Sequence, residues 1–223
     1  MKRFFIMLPL LCGPIVLAGP VLTAEEQEAW LDDDSELRAL AVNEGRLVFL
    51  KPPADHTTLY SENELTIGEN SPDSGWVELK QCHYQLDPVN KVDIVYTYIQ
   101  MKNLRVDSYE KIGRVDVIDQ SVRLENVSHG ASLCVRANVR VFYNNFDGSY
   151  TLRNGPYYRK FLDGYYPYHV TMTVTYPGDL LLFRGISPEV QEGFKIIQNP
   201  NQVKVDAWFD GALRTEMIFE LKP

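Results

Sequence analysis

Two cysteines, Cys82 and Cys134, are the residues whose chemistry can be stated first from type and position. Cys82 shares its two-residue spacing with Glu78 and Lys80, and Cys134 shares it with Arg136 and Arg140. In extended backbone this puts each thiol on the polar face of its strand, away from the apolar row. An exported chain with two such thiols points to a disulfide. No C-x-x-C spacing suggests redox work. The expected bridge lies at a sheet rim and closes a loop of about fifty residues, which the chain-entropy model values at about 4 kcal/mol. Cys82 beside His83 also raises a nucleophile–base pair or a metal corner. Neighbouring residues on a strand point to opposite faces, which argues against a shared site.

The second candidate is the segment from Gly155 to His169. It holds five of the thirteen tyrosines together with two Gly, two Pro, Arg159 and Lys160. Tyrosine offers a large contact area, little rotamer entropy and a polar tip, so tyrosine clusters serve as contact surfaces for proteins and sugars. The basic pair adds local positive charge that can receive a carboxylate or another anionic group. The candidate contact residues are Tyr157, Tyr158, Arg159, Tyr165, Tyr166 and Tyr168. The same composition also suits a crossover that covers the apolar edges of sheets, so the segment is either a contact surface or a structural corner.

Motifs of catalysis and metal binding are missing from the sequence. The four histidines, His56, His83, His129 and His169, show neither H-x-H nor H-E-x-x-H spacing. There is no G-x-S-x-G elbow, no phosphate loop, no G-x-G-x-x-G fingerprint and no twelve-residue calcium loop. Asp32 to Asp34 are consecutive acids that do not converge on one point, and they read as a solvated face. Carboxylates can still meet in space without a local signature, as in glycosidases. Asp116, Asp119 and Asp206 are candidates only in that sense. No catalytic residue, metal ligand or cofactor is assigned.

The elements that must position these residues begin after an N-terminal address. Lys2 and Arg3 precede the apolar run Phe4 to Leu11, which resumes at Ile15 to Ala18 and is followed by small residues at Ala18 and Ala24. This is the layout of a secretory signal peptide over residues 1–24, and Pro9, Gly13 and Pro14 break it too often for a comfortable membrane span. Cys12 lacks the small preceding residue that lipidation needs. Removing residues 1–24 takes away Lys2 and Arg3 and no acid, so the net charge moves from −8 to −10. Such an acidic chain repels phosphate backbones, which disfavours nucleic acid as the main partner. The lone sequon Asn126-Val127-Ser128 matches by chance as readily as by function.

Residues 25–44 have helical spacing at Ala29, Trp30, Leu37, Leu40 and Ala41, with Gly45 as a stop. Beyond them the chain reads as strands: Arg46–Lys51, Leu59–Ile67, Gly75–Tyr84, Lys91–Met101, Arg114–Leu124, Ala131–Tyr143, His169–Tyr176, Asp179–Gly185, Val203–Phe209 and Ala212–Leu221. The alternation is cleanest where Leu133, Val135, Ala137, Val139 and Val141 oppose Ser132, Arg136, Asn138 and Arg140. Asp147-Gly148 and Asp210-Gly211 read as hairpin turns. Short strands with no intervening helices predict a mainly β, antiparallel β-sandwich with a short N-terminal helix. The general architecture is similar to immunoglobulin-like sandwiches, though the Cys-Trp-Cys arrangement of that family is missing and no residue is carried across.

The expected organisation is a signal peptide at 1–24, a helical segment at 25–44 and a β-sandwich at 45–150. A Tyr-rich crossover and C-terminal β segment follow at 151–223, and they can complete one larger sandwich. The expected function is an exported, periplasmic or extracellular, non-catalytic binding or assembly module of the cell envelope. It has no transmembrane span in the mature chain, and its partner is an envelope protein or glycan. The alternatives are a carbohydrate-active or other hydrolase and a purely structural envelope component.

Overall fold

Alternating side chains leave each strand with one apolar face, and these faces are buried by stacking two sheets. The computed structural model describes residues 45–53, 59–161 and 164–222. The signal segment and the N-terminal helix expected from sequence lie outside the described residues. The described chain forms β1 (Val48–Phe49), β2 (Tyr60–Ile67), a four-residue helix α1 (Ser71–Ser74), β3 (Trp76–Leu86), β4 (Val89–Val95), β5 (Met101–Ile118), β6 (Ser121–Arg140) and β7 (Phe142–Asn144). It continues with β8 (Ser149–Tyr157), β9 (Arg159–Phe161), β10 (Gly164–Tyr166), β11 (Tyr168–Thr175), β12 (Leu181–Ser187), β13 (Phe194–Asn199), β14 (Gln202–Asp210) and β15 (Leu213–Leu221). The protein is mainly β and sandwich-like, as its sequence pattern predicts.

The larger sheet runs β1-β14-β11-β2-β3-β6-β4, with β13 added on β14 and β5 on β6. Its pairs are antiparallel except β2 and β11, which run parallel. The smaller sheet runs β12-β15-β8-β7, and β9 and β10 form a separate hairpin. Both sheets draw strands from either side of residue 150: β2 pairs β11 in the larger sheet, and β7 pairs β8 in the smaller. Leu65, Ile67, Leu79, Val139, Met172 and Phe209 of the larger sheet bury against Leu152, Leu181, Met217 and Phe219 of the smaller. A second cluster, around Ile112, Val122, Leu124, Val127, Leu133 and Val135, lies along the β4–β5–β6 arm.

The disulfide Cys82–Cys134 is present, with a sequence separation of 52. Its position differs from the expected rim. The two residues sit directly opposite each other on neighbouring strands β3 and β6, with Cα atoms 4.0 Å apart and strand continuing on both sides. The bridge therefore cross-links the body of the larger sheet.

Several strand boundaries also differ from the sequence reading. Asp210-Gly211 joins β14 of one sheet to β15 of the other and closes no hairpin. Asp210 Oδ1 accepts the Gly211 N–H at 2.7 Å, and Gly211 has φ +86° with its Cα packed against the Arg46 carbonyl, leaving no space for a side chain. A turn dipeptide reports a reversal, and here the chain reverses across the sandwich rather than within a sheet. The run Arg114–Leu124 contains a reversal at Asp119-Gln120, between β5 and β6, which pair along almost their whole length. Lys91–Met101 breaks after Val95, and residues 96–100 connect two strands. Asn144 to Pro167, where Gly, Pro, Asn and Asp cluster as in a seam between domains, contains β8, an interior strand of the smaller sheet. No helix among the described residues is long and apolar enough to cross a membrane.

Candidate functional site

Sandwich packing leaves a cavity of about 280 Å³ at one end of the larger sheet. Its walls come from the C-terminal half of β3, from β4 and the following Tyr96-Thr97-Tyr98, from the stretch Gly155–Lys160, and from Leu59 and Tyr168.

A bulge in β8 shapes one wall. Asn154 pairs with Thr215, but Tyr157 pairs with Leu213, so one residue more is used on β8. This resets strand parity, and Asn154 and Tyr157, three positions apart, are both buried. Gly155 makes the bulge possible: it has φ +97°, and a Cβ there would lie 2.5 Å from the Leu213 carbonyl oxygen. The hairpin β9–β10 follows, with Tyr165 opposite Lys160 and Tyr166 opposite Arg159.

All six contact residues expected from sequence gather at this locus, at different depths. Tyr157, Tyr158, Arg159 and Tyr168 line the cavity. Tyr157 and Tyr168 are buried in the core, so their contact is restricted to what enters the cavity, whereas Tyr158 is 41% exposed. Tyr165 and Tyr166 are half-buried on the neighbouring hairpin. Tyr158 and Tyr165 meet edge to face at 5.9 Å. Lys160 lies 5.1 Å from the Tyr165 ring, and Arg159 lies 5.7 Å from the Tyr166 ring. Arg159 Nη2 also donates to both carboxylate oxygens of Asp87 at 2.8 Å.

Beside the lining lie buried, uncharged polar residues: on the neighbouring strand Ser61 is opposite His83 and Asn63 is opposite Gln81. Asn63 Nδ2 donates to the Thr171 carbonyl at 3.1 Å and to Ser61 Oγ at 3.2 Å. The Tyr98 hydroxyl donates to Asn154 Oδ1 at 2.8 Å. Tyr168 Oη lies 3.4 Å from His83 Nδ1. Burial lowers the His83 pKa to about 4, so its ring is neutral at pH 7. Burial pushes Tyr168 up to about 12, and it raises Tyr96, Tyr98 and Tyr157 as well. His83 Nε2 and the Tyr96 hydroxyl are buried with no hydrogen-bond partner among the described residues.

At the rim, the Arg123 guanidinium donates to both carboxylate oxygens of Asp93, at 2.9 and 3.0 Å, and holds that carboxyl below its usual range. The weak carboxylate candidates do not converge. Asp116 pairs with Arg114 on β5, Asp119 sits in the β5–β6 turn, and Asp206 pairs with His169 Nε2 at 2.7 Å on β14. β14 and β6 are separated by four strand spacings, about 19 Å. Cys82 is taken up by the disulfide, and His83 points to the opposite face, so the pair builds no shared site. Among the described residues there is no cluster of three or more potential metal ligands.

The sequence pattern does not single out Tyr96, Tyr98 or Asp87, which line the cavity, or Asn154, which accepts from the Tyr98 hydroxyl, and it raises His83 only as the neighbour of Cys82. One signal for His83 was present: it continues the parity of Val77 and Leu79, and a polar residue in an apolar row marks a place where the core changes character. Tyr96 and Tyr98 fall inside the run Lys91–Met101, which reads as one continuous strand.

No family model and no curated protein matches the chain. Among solved structures it is similar to an M1 zinc metallopeptidase from Deinococcus radiodurans. A variant of that enzyme bound to a Tyr-Ser-Ala substrate shows 12% identity, covering 80% of this chain and 43% of that one, with a TM-score of 0.41. A further structure of the enzyme gives the same identity and coverage, with a TM-score of 0.39. The chain spans less than half the length of these enzymes. Similarity at this level carries neither a residue nor an activity across.

Proposed function

We propose that the chain is an exported, non-catalytic binding module of the cell envelope, contacting an envelope protein or glycan through the Tyr-rich face. One observation supports this reading above the others. Tyr157, Tyr158, Arg159 and Tyr168 line one cavity, and Tyr165 and Tyr166 stand on the adjoining hairpin. A contact surface needs aromatic area beside a concavity, with charged groups at the margin. The disulfide fits an oxidising compartment.

The chemistry of the cavity favours binding over hydrolysis. A glycosidase needs one carboxyl kept protonated as an acid, beside a second that acts as base or nucleophile. Asp87 and Asp93, the carboxylates in the cavity lining, are each paired with an arginine, and Asp93 is shifted toward ionisation.

The experiment is recovery of envelope components by the purified mature chain, comparing wild type with Tyr165→Ala/Tyr166→Ala. Recovery of the specific partner should fall about tenfold or more, as for aromatic anchors at an interface. Equal recovery by both proteins would overturn the contact surface.

A further inference from the structure

We propose that the outer edge of β4, which runs along the cavity, receives an extended polypeptide segment of an envelope protein as one more strand of the larger sheet. The inference rests on the binding reading above and deepens it: it chooses protein over glycan and names backbone pairing as the means of recognition.

The ladder places the bonding groups. Among the described strands, β4 ends the path of the larger sheet and pairs with β6 alone. Its register is unbroken from Lys91 opposite Glu125 to Val95 opposite Ser121, and the Tyr96 N–H donates to the Gln120 carbonyl at 2.9 Å. Opposed residues of an antiparallel pair alternate between bonded and non-bonded. Val92 and Ile94 therefore bond to β6 as Tyr96 does, and the N–H and C=O groups of Lys91, Asp93 and Val95 point away from β6. Those of Asp93 and Val95 face the cavity. Every residue from Val92 to Tyr98 lines it although successive side chains of a strand point to opposite faces, so the cavity follows the edge of β4 rather than one face.

The wall formed by Gly155–Lys160 supplies surface rather than pairing. The Gly155 N–H is taken by Asn154 Oδ1 at 2.9 Å, and Pro156 has no N–H. A cavity of about 150 Å³ holds a benzene ring, so about 280 Å³ accepts one or two apolar side chains of the added segment, projecting inward at alternate positions. Leu59, Leu86 and Tyr158 line the space they would enter. Lys160, on the same wall, suits an acidic side chain at the segment's margin. A glycan carries no regular row of N–H and C=O groups to match the edge. The charges of β4 do not guard it, because Asp93 pairs with Arg123 and Lys91 with Glu125, and Val95 is 61% exposed. β5, on the other side of β6, is a defended edge by contrast: three bulges interrupt its pairing, and exposed charges lie along it.

NMR titration of the full mature chain with the peptide acetyl-Glu-Val-Thr-Val-Thr-Val-Lys-amide tests the proposal. Without peptide, the amide protons of Asp93 and Val95 should exchange quickly and those of Ile94 and Tyr96 slowly. Saturating peptide should slow exchange at Asp93 and Val95 at least about tenfold. N-methylating the valines of the peptide, or separately its threonines, blocks one edge of the added strand at a time. One of these two peptides should bind at least about tenfold more weakly, and the other like the parent. Val95→Pro removes an outward N–H and no β4–β6 bond, so it should weaken the parent peptide about tenfold or more, whereas Val95→Thr should not. No binding of the parent peptide, equal weakening by both N-methylations, or binding without slowed exchange at Asp93 and Val95 overturns the proposal. So does a dimer in sedimentation that protects both amides without peptide, which gives the edge to a second copy of the chain. If the peptide fails while Tyr165→Ala/Tyr166→Ala still abolishes partner recovery, the strand proposal falls and the binding reading stands.

Discussion

The same strands build two opposite ends of one sandwich interior. Along β2, the core-facing residues pass from Ile67 and Leu65 to Asn63 and Ser61; along β3, they pass from Val77 and Leu79 to Gln81 and His83. The pairing register aligns these changes: Asn63 faces Gln81, and Ser61 faces His83. At the first end Phe142, Tyr176, Phe183 and Phe219 close the interior by ring-on-ring contact. At the second, polar residues and tyrosines border a cavity. Stability should therefore be concentrated at one end and recognition at the other, as expected where a scaffold supports a site that sacrifices packing.

The largest test of that division is Phe219→Ala. Phe219 is fully buried against three other aromatic rings, and its truncation should cost about 4 kcal/mol in urea unfolding. The folded fraction should retain its ligand affinity. A stability loss below about 1 kcal/mol would mean that the aromatic end is not where the fold is held.

The disulfide sharpens the comparison because it lies next to the cavity strand residues. Cys82 is flanked by Gln81 and His83, both facing the cavity end. Opening the bridge in Cys82→Ser/Cys134→Ser should cost about 2–4 kcal/mol. Hydrogen exchange in native conditions should rise earlier in residues 81–86 than in residues 213–221. Uniform acceleration along both segments would show that the ends are one cooperative unit.

The pH response should also belong to the cavity end. His83 has a folded pKa of about 4, below its ordinary 6.5, because burial disfavours the imidazolium. The folded state binds fewer protons, so its stability is complete above about pH 6.5 and falls as pH drops towards 4. The loss attributable to His83 approaches about 3 kcal/mol. Comparing unfolding of wild type and His83→Gln at pH 7 and pH 4 isolates this contribution. Parallel losses in both proteins would assign the acid response to other groups.

The unbroken apolar rows, which run through both ends, are the more legible in sequence because alternation reports them directly. Leu133, Val135, Ala137, Val139 and Val141 form one buried row, and Val170, Met172, Val174 and Tyr176 form another, as their spacing implies. The cavity end breaks that rule in ways a linear pattern does not contain. The bulge at Gly155 reverses parity before Tyr157. The parallel pairing of β2 with β11 brings together residues more than a hundred positions apart. Apart from Met101, only Arg114–Ile118 of β5 falls in an expected strand, because Lys102, Arg105, Asp107, Glu110 and Lys111 are exposed charges that mask its alternation, and one partner strand is enough to hold it. The Tyr-rich composition marks the segment that borders the cavity; the depth of each tyrosine is not written there, because depth depends on which sheet each strand joins.

The smallest expected effect on stability is the most informative about the site. Tyr158 is 41% exposed, lines the cavity and meets Tyr165 edge to face. Such a ring pair at the surface contributes about 0.5–1 kcal/mol, so Tyr158→Ala should barely change the unfolding midpoint. A ring at the mouth that anchors a partner can contribute 2 kcal/mol or more to binding, so affinity should fall by about thirtyfold. Phe219→Ala should give the reverse pattern, with a large loss of stability and no change in affinity. If Tyr158→Ala destabilises the fold as strongly as it weakens binding, the Tyr-rich segment is a packing corner, and the separation between the two ends fails at the residue where it should be clearest.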